Sequence, residues 1–170
     1  MGIDVYLGLG SNLDKPVHQI QAALEALDNL AETAIKCCSS LYASQPMGPQ
    51  DQPDYVNAVV LIHTQLAPLF LLKALQEIEL EHGRVRKSER WGPRTLDIDI
   101  LLYGEQQIDS SELVVPHYGM KQREFVLFPL FEISPQLCLP DGELLAELIK
   151  KCPINGLKIL SPAPIFQLNN

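Results

Sequence analysis

Asp97 and Asp99 stand one residue apart in RWGPRTLDIDILL, residues 90–102, directly after Arg90 and Arg94. On a strand, side chains alternate between faces, so the two carboxylates share one side while Ile98 and Ile100 take the other. Two like charges so placed raise each other's pKa unless something positive lies between them. Magnesium takes one or two carboxylates together with phosphate oxygens and waters, so the pair suits one or two Mg²⁺ ions carrying a nucleotide. The arginines suit the remaining phosphate oxygens through bidentate bonds. A lone D-x-D is more often a solvated strand face. Here its neighbours Leu96, Ile98, Ile100, Leu101 and Leu102 read as a central strand, and a cationic stretch feeds directly into it.

The chain carries a formal charge of −8, yet all its arginines, Arg84, Arg86, Arg90, Arg94 and Arg123, lie within residues 84–123, with Lys87 among them. A charge run after a helix is as readily a solvated loop. In an acidic protein, a concentrated cationic site also suits a small, multiply charged anion. Gly92-Pro93 turns the chain sharply and positions Arg94. GLGSNL near the start lacks the third glycine of G-x-G-x-x-G and has no G-K-[ST], so it reads as a tight turn between strand and helix. His117 is as readily a loop hydrogen bonder as a ligand, and Tyr55, Asn57 and Phe125 taken singly read as core and strand residues.

The elements that must position these groups follow from periodicity. IDVYLGL at 3–9 predicts a strand ending at Gly10-Ser11-Asn12. Val17, Ile20, Ala23, Leu24, Leu27 and Leu30 predict a helix, with Asp14 placed to cap it and Pro16 in its first turn. Residues 34–43 and 55–64 predict two more strands, separated by a proline-rich polar loop. Residues 67–82 predict a second helix stopped at Gly83. An exposed, charged loop then leads into the strand TLDIDILLYG. The order is the ferredoxin-like α+β arrangement βαββαβ, with C-terminal additions. These are helical pieces near FVLFPLFEI and GELLAELIKK and a short strand or turn, while the last twenty residues carry little signal.

Several stretches together resemble the 6-hydroxymethyl-7,8-dihydropterin pyrophosphokinase family of folate biosynthesis. They are GLGSNL, GPQDQPDYVNA at 48–58, GRVRKSER running into RWGPRTLDIDILL, and VPHYGMKQREFVLFPLFEI at 115–133. The resemblance implies a ferredoxin-like core and transfer of pyrophosphate from ATP to the pterin hydroxymethyl group, giving AMP. By position it implies that Asp97 and Asp99 bind two Mg²⁺ ions bridging the ATP phosphates, and that Arg84 and Arg94 stabilise the transferring group. Gln76, Glu79, Arg86, Trp91, Ile100, His117, Tyr118 and Arg123 would serve the nucleotide. Ser44, Tyr55, Asn57 and Phe125 would form the pterin pocket. One departure is Ser44-Gln45-Pro46, where the family pattern has Thr-Pro-Pro.

Such chemistry suits the residue types. A pterin is flat with a hydrogen-bonding edge, which an aromatic face and an amide fit. Phosphoryl-type transfer asks for positioning and charge neutralisation more than for a protein nucleophile. A nucleotidyl transferase would use the same two carboxylates but release free pyrophosphate. A ferredoxin-like RNA-binding module is disfavoured by the acidic charge and the lack of an RNP-type run. At 170 residues we expect one domain over 1–170, with no nucleic-acid or membrane partner and no obligate protein partner. Without a signal-like or membrane-length apolar run, the expected location is the cytosol. Cys37, Cys38, Cys138 and Cys152 show no zinc-ligand spacing and read as free thiols.

Overall fold

The computed structural model describes residues 2–13, 15–45, 54–82 and 96–163. The chain order is β1 (Ile3–Ser11), α1 (Pro16–Asp28), β2 (Thr33–Cys38), β3 (Leu41–Ser44), β4 (Tyr55–Thr64), α2 (Pro68–Glu81) and β5 (Asp97–Tyr103). There follow a small hairpin of β6 (Ile108–Asp109) and β7 (Val114–Val115), a 3-10 turn at Met120–Gln122, α3 (Glu124–Ile133), α4 (Leu145–Lys151) and β8 (Lys158–Ser161). The main sheet runs β5-β1-β4-β3-β8, with β2 also paired to β4. Its pairings are antiparallel throughout. This is the expected ferredoxin-like order with additions at the C-terminal end.

Strand alternation divides the interior into two apolar clusters. Val5, Leu7 and Leu9 of β1, Val60 and Ile62 of β4, and Ile98 and Ile100 of β5 face α1 and α2, where Ile20, Leu24, Leu27, Leu71 and Leu75 meet them. On the other side Val59, Leu101 and Leu102 pack against Val126, Leu127 and Leu130 of α3 and Leu145 and Leu148 of α4. Among the described residues, the second cluster does not extend over the end nearest Gly10, Asn57 and Asp97.

Four expectations are corrected. Among the described residues β5 is an edge strand, not a central one. It reads as central because helices cover both of its faces, so nearly all its side chains but the aspartates are buried. The stretch expected as one strand over 34–43 is two. Ser39 and Ser40 interrupt it, with the Ser39 hydroxyl accepting from the Val59 N–H and the Glu132 carboxylate accepting from the N–H and hydroxyl of Ser40. Gly10 and Ser11 are not a turn but the last residues of β1, opposite Asn57 and Val56. In the last twenty residues, β8 pairs with β3 while leaving Ile159 and Leu160 exposed, which is why no alternation announces it. At the start of α1 the cap position is held by Lys15 in a left-handed conformation, without a side-chain cap bond. Asp14 and Gly83 lie outside the described residues.

Candidate functional site

That end of the sheet forms a cavity of about 270 Å³. Its floor is one side of β1, where alternation places Gly8, half-buried, and Gly10, buried, as bare backbone in the cavity lining. Gly10 is paired with Asn57 on one side and Asp97 on the other, and Gly8 with Val59 and Asp99. The carboxylates therefore sit side by side along one wall, facing away from Ile98 and Ile100, as the D-I-D-I alternation requires.

The opposite wall is polar and aromatic. Ser44 on β3 lies across from Tyr55 on β4, and both line the cavity with Asn57. The buried Ser44 hydroxyl donates to Asn57 Oδ1 at 2.5 Å, which leaves the amide's own N–H groups for other acceptors. Phe125, from the first turn of α3, contributes an aromatic side chain to the lining.

The third wall comes from the segment between β7 and α3. The His117 N–H donates to the Leu101 carbonyl at 3.0 Å, which anchors this segment to β5. His117 Nδ1 accepts the Gly119 N–H at 3.2 Å, so the neutral ring carries its proton on Nε2. That nitrogen is 3.8 Å from Asp99 Oδ2. Burial, and secondarily the charge of Arg123, push the His117 pKa down to about 4. The ring is thus neutral at physiological pH, and its approach to Asp99 is a polar contact, not an ion pair. Tyr118 stacks on His117 with centroids 4.7 Å apart. The Arg123 guanidinium lies 5.4 Å from the Tyr118 ring centre and 5.8 Å from that of Phe125, close enough for cation–π attraction. Asp99, His117, Tyr118, Arg123 and Phe125 thus form a continuous series from carboxylate to aromatic wall.

Of the residues singled out from the sequence, Ser44, Tyr55, Asn57, Asp97, Asp99, His117, Tyr118, Arg123 and Phe125 meet at this cavity. Gln76, Glu79 and Ile100 do not line it. Ile100 is buried in the cluster under α1 and α2. Glu79 on α2 is 5% exposed, and its Oε2 accepts the N–H of Ile98 at 3.0 Å, the peptide between the two aspartates. Arg84, Arg86, Arg90, Trp91 and Arg94 lie outside the described residues. Sequence reasoning passed over Gly8, Gly10, Leu101 and Val126, which also line the cavity. The available signal was the G-x-G spacing inside a strand, two missing side chains on one face. All four cysteines are free thiols, and burial pushes Cys38 up to about 12.

The structure thus defines an α+β protein of the ferredoxin-like class, with a carboxylate pair and an amide-aromatic wall facing one cavity. Residues 6–135 match the family described as 7,8-dihydro-6-hydroxymethylpterin-pyrophosphokinase (HPPK), and the chain belongs to that family. It is 57% identical over 159 residues to the 2-amino-4-hydroxy-6-hydroxymethyldihydropteridine pyrophosphokinase of Pseudomonas aeruginosa, covering 94% of this chain and 98% of that one. To the enzyme of the same name from Haemophilus influenzae it is 53% identical, covering 94% and 99%. An HPPK-DHPS crystal structure in complex with substrates superposes with a TM-score of 0.70 at 14% identity, over 88% of this chain and 43% of that longer one. That likeness concerns the fold.

Proposed function

We propose that this cavity is the active site in which the chain performs the reaction of its family. The chain transfers a pyrophosphoryl group from ATP to the hydroxymethyl group of 6-hydroxymethyl-7,8-dihydropterin in folate biosynthesis, releasing AMP. Release of AMP fixes the bond changes. The hydroxymethyl oxygen bonds to the β-phosphorus, the bond from that phosphorus to the α,β-bridging oxygen breaks, and the hydroxyl proton is lost to solvent or to a phosphate oxygen.

The observation that carries this placement is the cavity's division into two ends. At one, Tyr55, Asn57 and Phe125 offer an amide and flat aromatic faces to a pterin, with Ser44 fixing the amide. At the other, Asp97 and Asp99 offer hard oxygen donors on one face, the donor set a divalent cation takes when phosphates and waters complete its shell. They would hold Mg²⁺, two ions in this reading, and the metal when bound neutralises phosphate charge. His117 would present its Nε2 proton beside Asp99, and Arg123 would supply positive charge on the nucleotide side together with Tyr118. Arg84 and Arg94 would stabilise the transferring group, with Arg86 and Trp91 on the nucleotide. Gln76, Glu79 and Ile100 would support the nucleotide side from α2 and β5, Glu79 through the bond its carboxylate accepts from the Ile98 N–H.

We read residues 1–170 as one pyrophosphokinase domain acting in the cytoplasm on small soluble substrates. Among the described residues no helix is long and apolar enough to cross a membrane. Product analysis tests the reading. AMP should form only when ATP, Mg²⁺ and the hydroxymethyl dihydropterin are all present, and ADP or free pyrophosphate as the product would overturn it.

A further inference from the structure

Asn57 on β4, Gly10 on β1 and Asp97 on β5 are cross-strand partners in one row. Neighbouring strands lie about 5 Å apart, so about 10 Å separates the backbone of Asn57 from that of Asp97. On the reading above, on which this inference rests, the pterin ring sits at the Asn57 end and the phosphates at the Asp97 end. The hydroxymethyl arm must then pass over the middle of the row, and that position is a glycine.

Backbone conformation does not call for glycine there, because Gly10 is regular strand and does not have a positive φ. Space does. A Cβ on Gly10 would stand 3.2 Å from Asn57 Nδ2 and 3.8 Å from Tyr55 Cδ1. The amide would have to retreat by a few tenths of an ångström, yet its Oδ1 is held by the Ser44 hydroxyl. Gly8, two residues earlier on the same face, differs: the atoms nearest a Cβ there would be those of the Leu101 side chain at 3.5 to 3.7 Å, an ordinary contact. We infer that Gly10 is a positioning residue for the acceptor substrate. Its bare Cα seats the Asn57 amide against Ser44 and keeps open the path from the pterin pocket to the carboxylates.

The test is calorimetric titration of the folded, full chain with a nonhydrolysable ATP analogue and Mg²⁺, then with the hydroxymethyl dihydropterin. It compares the wild type, Gly10→Ala, Asn57→Ala and the double variant. Gly10→Ala should weaken pterin binding about tenfold or more, leave the affinity for the ATP analogue within about twofold, and add less than about twofold once Asn57 is already alanine, because contacting residues are non-additive. Pterin affinity unchanged by Gly10→Ala overturns the inference. So does an equal loss of affinity for the ATP analogue, or a full multiplication of the two single effects. If Asn57→Ala itself binds pterin like the wild type, the placement of the pterin pocket fails instead.

Discussion

Val5, Leu7 and Leu9 leave one side of β1, and Tyr6, Gly8 and Gly10 leave the other. The first three are 0–2% exposed beneath α1 and α2. Each buried side chain of this size contributes roughly 1.5–3 kcal/mol. On the second side only Tyr6 packs, against the α3 cluster, while the two glycines contribute no side chain and line the cavity with backbone alone. One strand thus carries the core on one face and, in the proposed reading, the chemistry on the other. Period-two alternation keeps these tasks apart. A change on one face is expected to move stability with little effect on turnover, and a change on the other the reverse.

The sharpest test is on the open face. Asp97→Ala and Asp99→Ala should each lower AMP formation by at least about a thousandfold, since a bound metal supplies several kcal/mol of charge stabilisation, with little change in melting temperature. Substantial retained activity in either would remove the metal assignment. On the closed face, Leu7→Ala should cost about 2–5 kcal/mol in urea unfolding and leave the Michaelis constants of the folded enzyme nearly unchanged. A tenfold or larger shift in either constant would mean the two faces are coupled, about 1.4 kcal/mol leaking across the strand.

Glu79 joins the two regions, and Glu79→Ala asks how tightly. It leaves the Ile98 N–H buried without its carboxylate partner, an expected loss of about 1–3 kcal/mol. Because that peptide separates the two aspartates, turnover should fall as well; a stability loss with wild-type kinetics would confine Glu79 to the closed side.

The smallest effect concerns pH. His117 titrates near its ordinary value of 6.5 when unfolded but only at about 4 when folded, so between these values the unfolded chain binds more protons and stability falls as pH falls. Above 6.5 the group contributes no slope. In metal-free protein at pH 5, the loss relative to pH 7 should be smaller in His117→Asn than in the wild type, by on the order of 1 kcal/mol. Parallel stability curves would show that the ring is not held neutral.

Much of this division was legible in the sequence. The D-I-D-I alternation places both aspartates on one face, and the 3.6-residue spacing of Ile20, Ala23, Leu24 and Leu27 places α1 over the core. What escaped depended on distant partners. The break at Ser39-Ser40 is completed by Glu132, 92 residues further along the chain from Ser40. β8 is recognisable only once β3 offers it an edge. A strand buried on both faces has the same composition at an edge as at the centre, so β5 could not be placed by its own residues. The glycine floor was overlooked because Gly8 and Gly10 were weighed as a turn, when their meaning lies in what stands opposite them: Asp99 and Val59 beside one, Asp97 and Asn57 beside the other.

β5 itself contains a phase shift. Its pairing with β1 passes from Leu7↔Ile100 to Tyr6↔Leu102, so Leu101 is an extra residue and both it and Leu102 turn toward α3. Beyond it Tyr103 returns to the other cluster, where its hydroxyl donates to the Leu66 carbonyl. The bulge separates the half of the strand that carries the aspartates from its anchoring half. Removing Leu101 would restore a regular ladder without turning either aspartate, whereas removing Ile98 would drive one carboxylate toward the leucines under α2. Tolerance to single-residue deletion should therefore change abruptly within four positions of one strand, and the boundary would mark where the reaction ends and the scaffold begins.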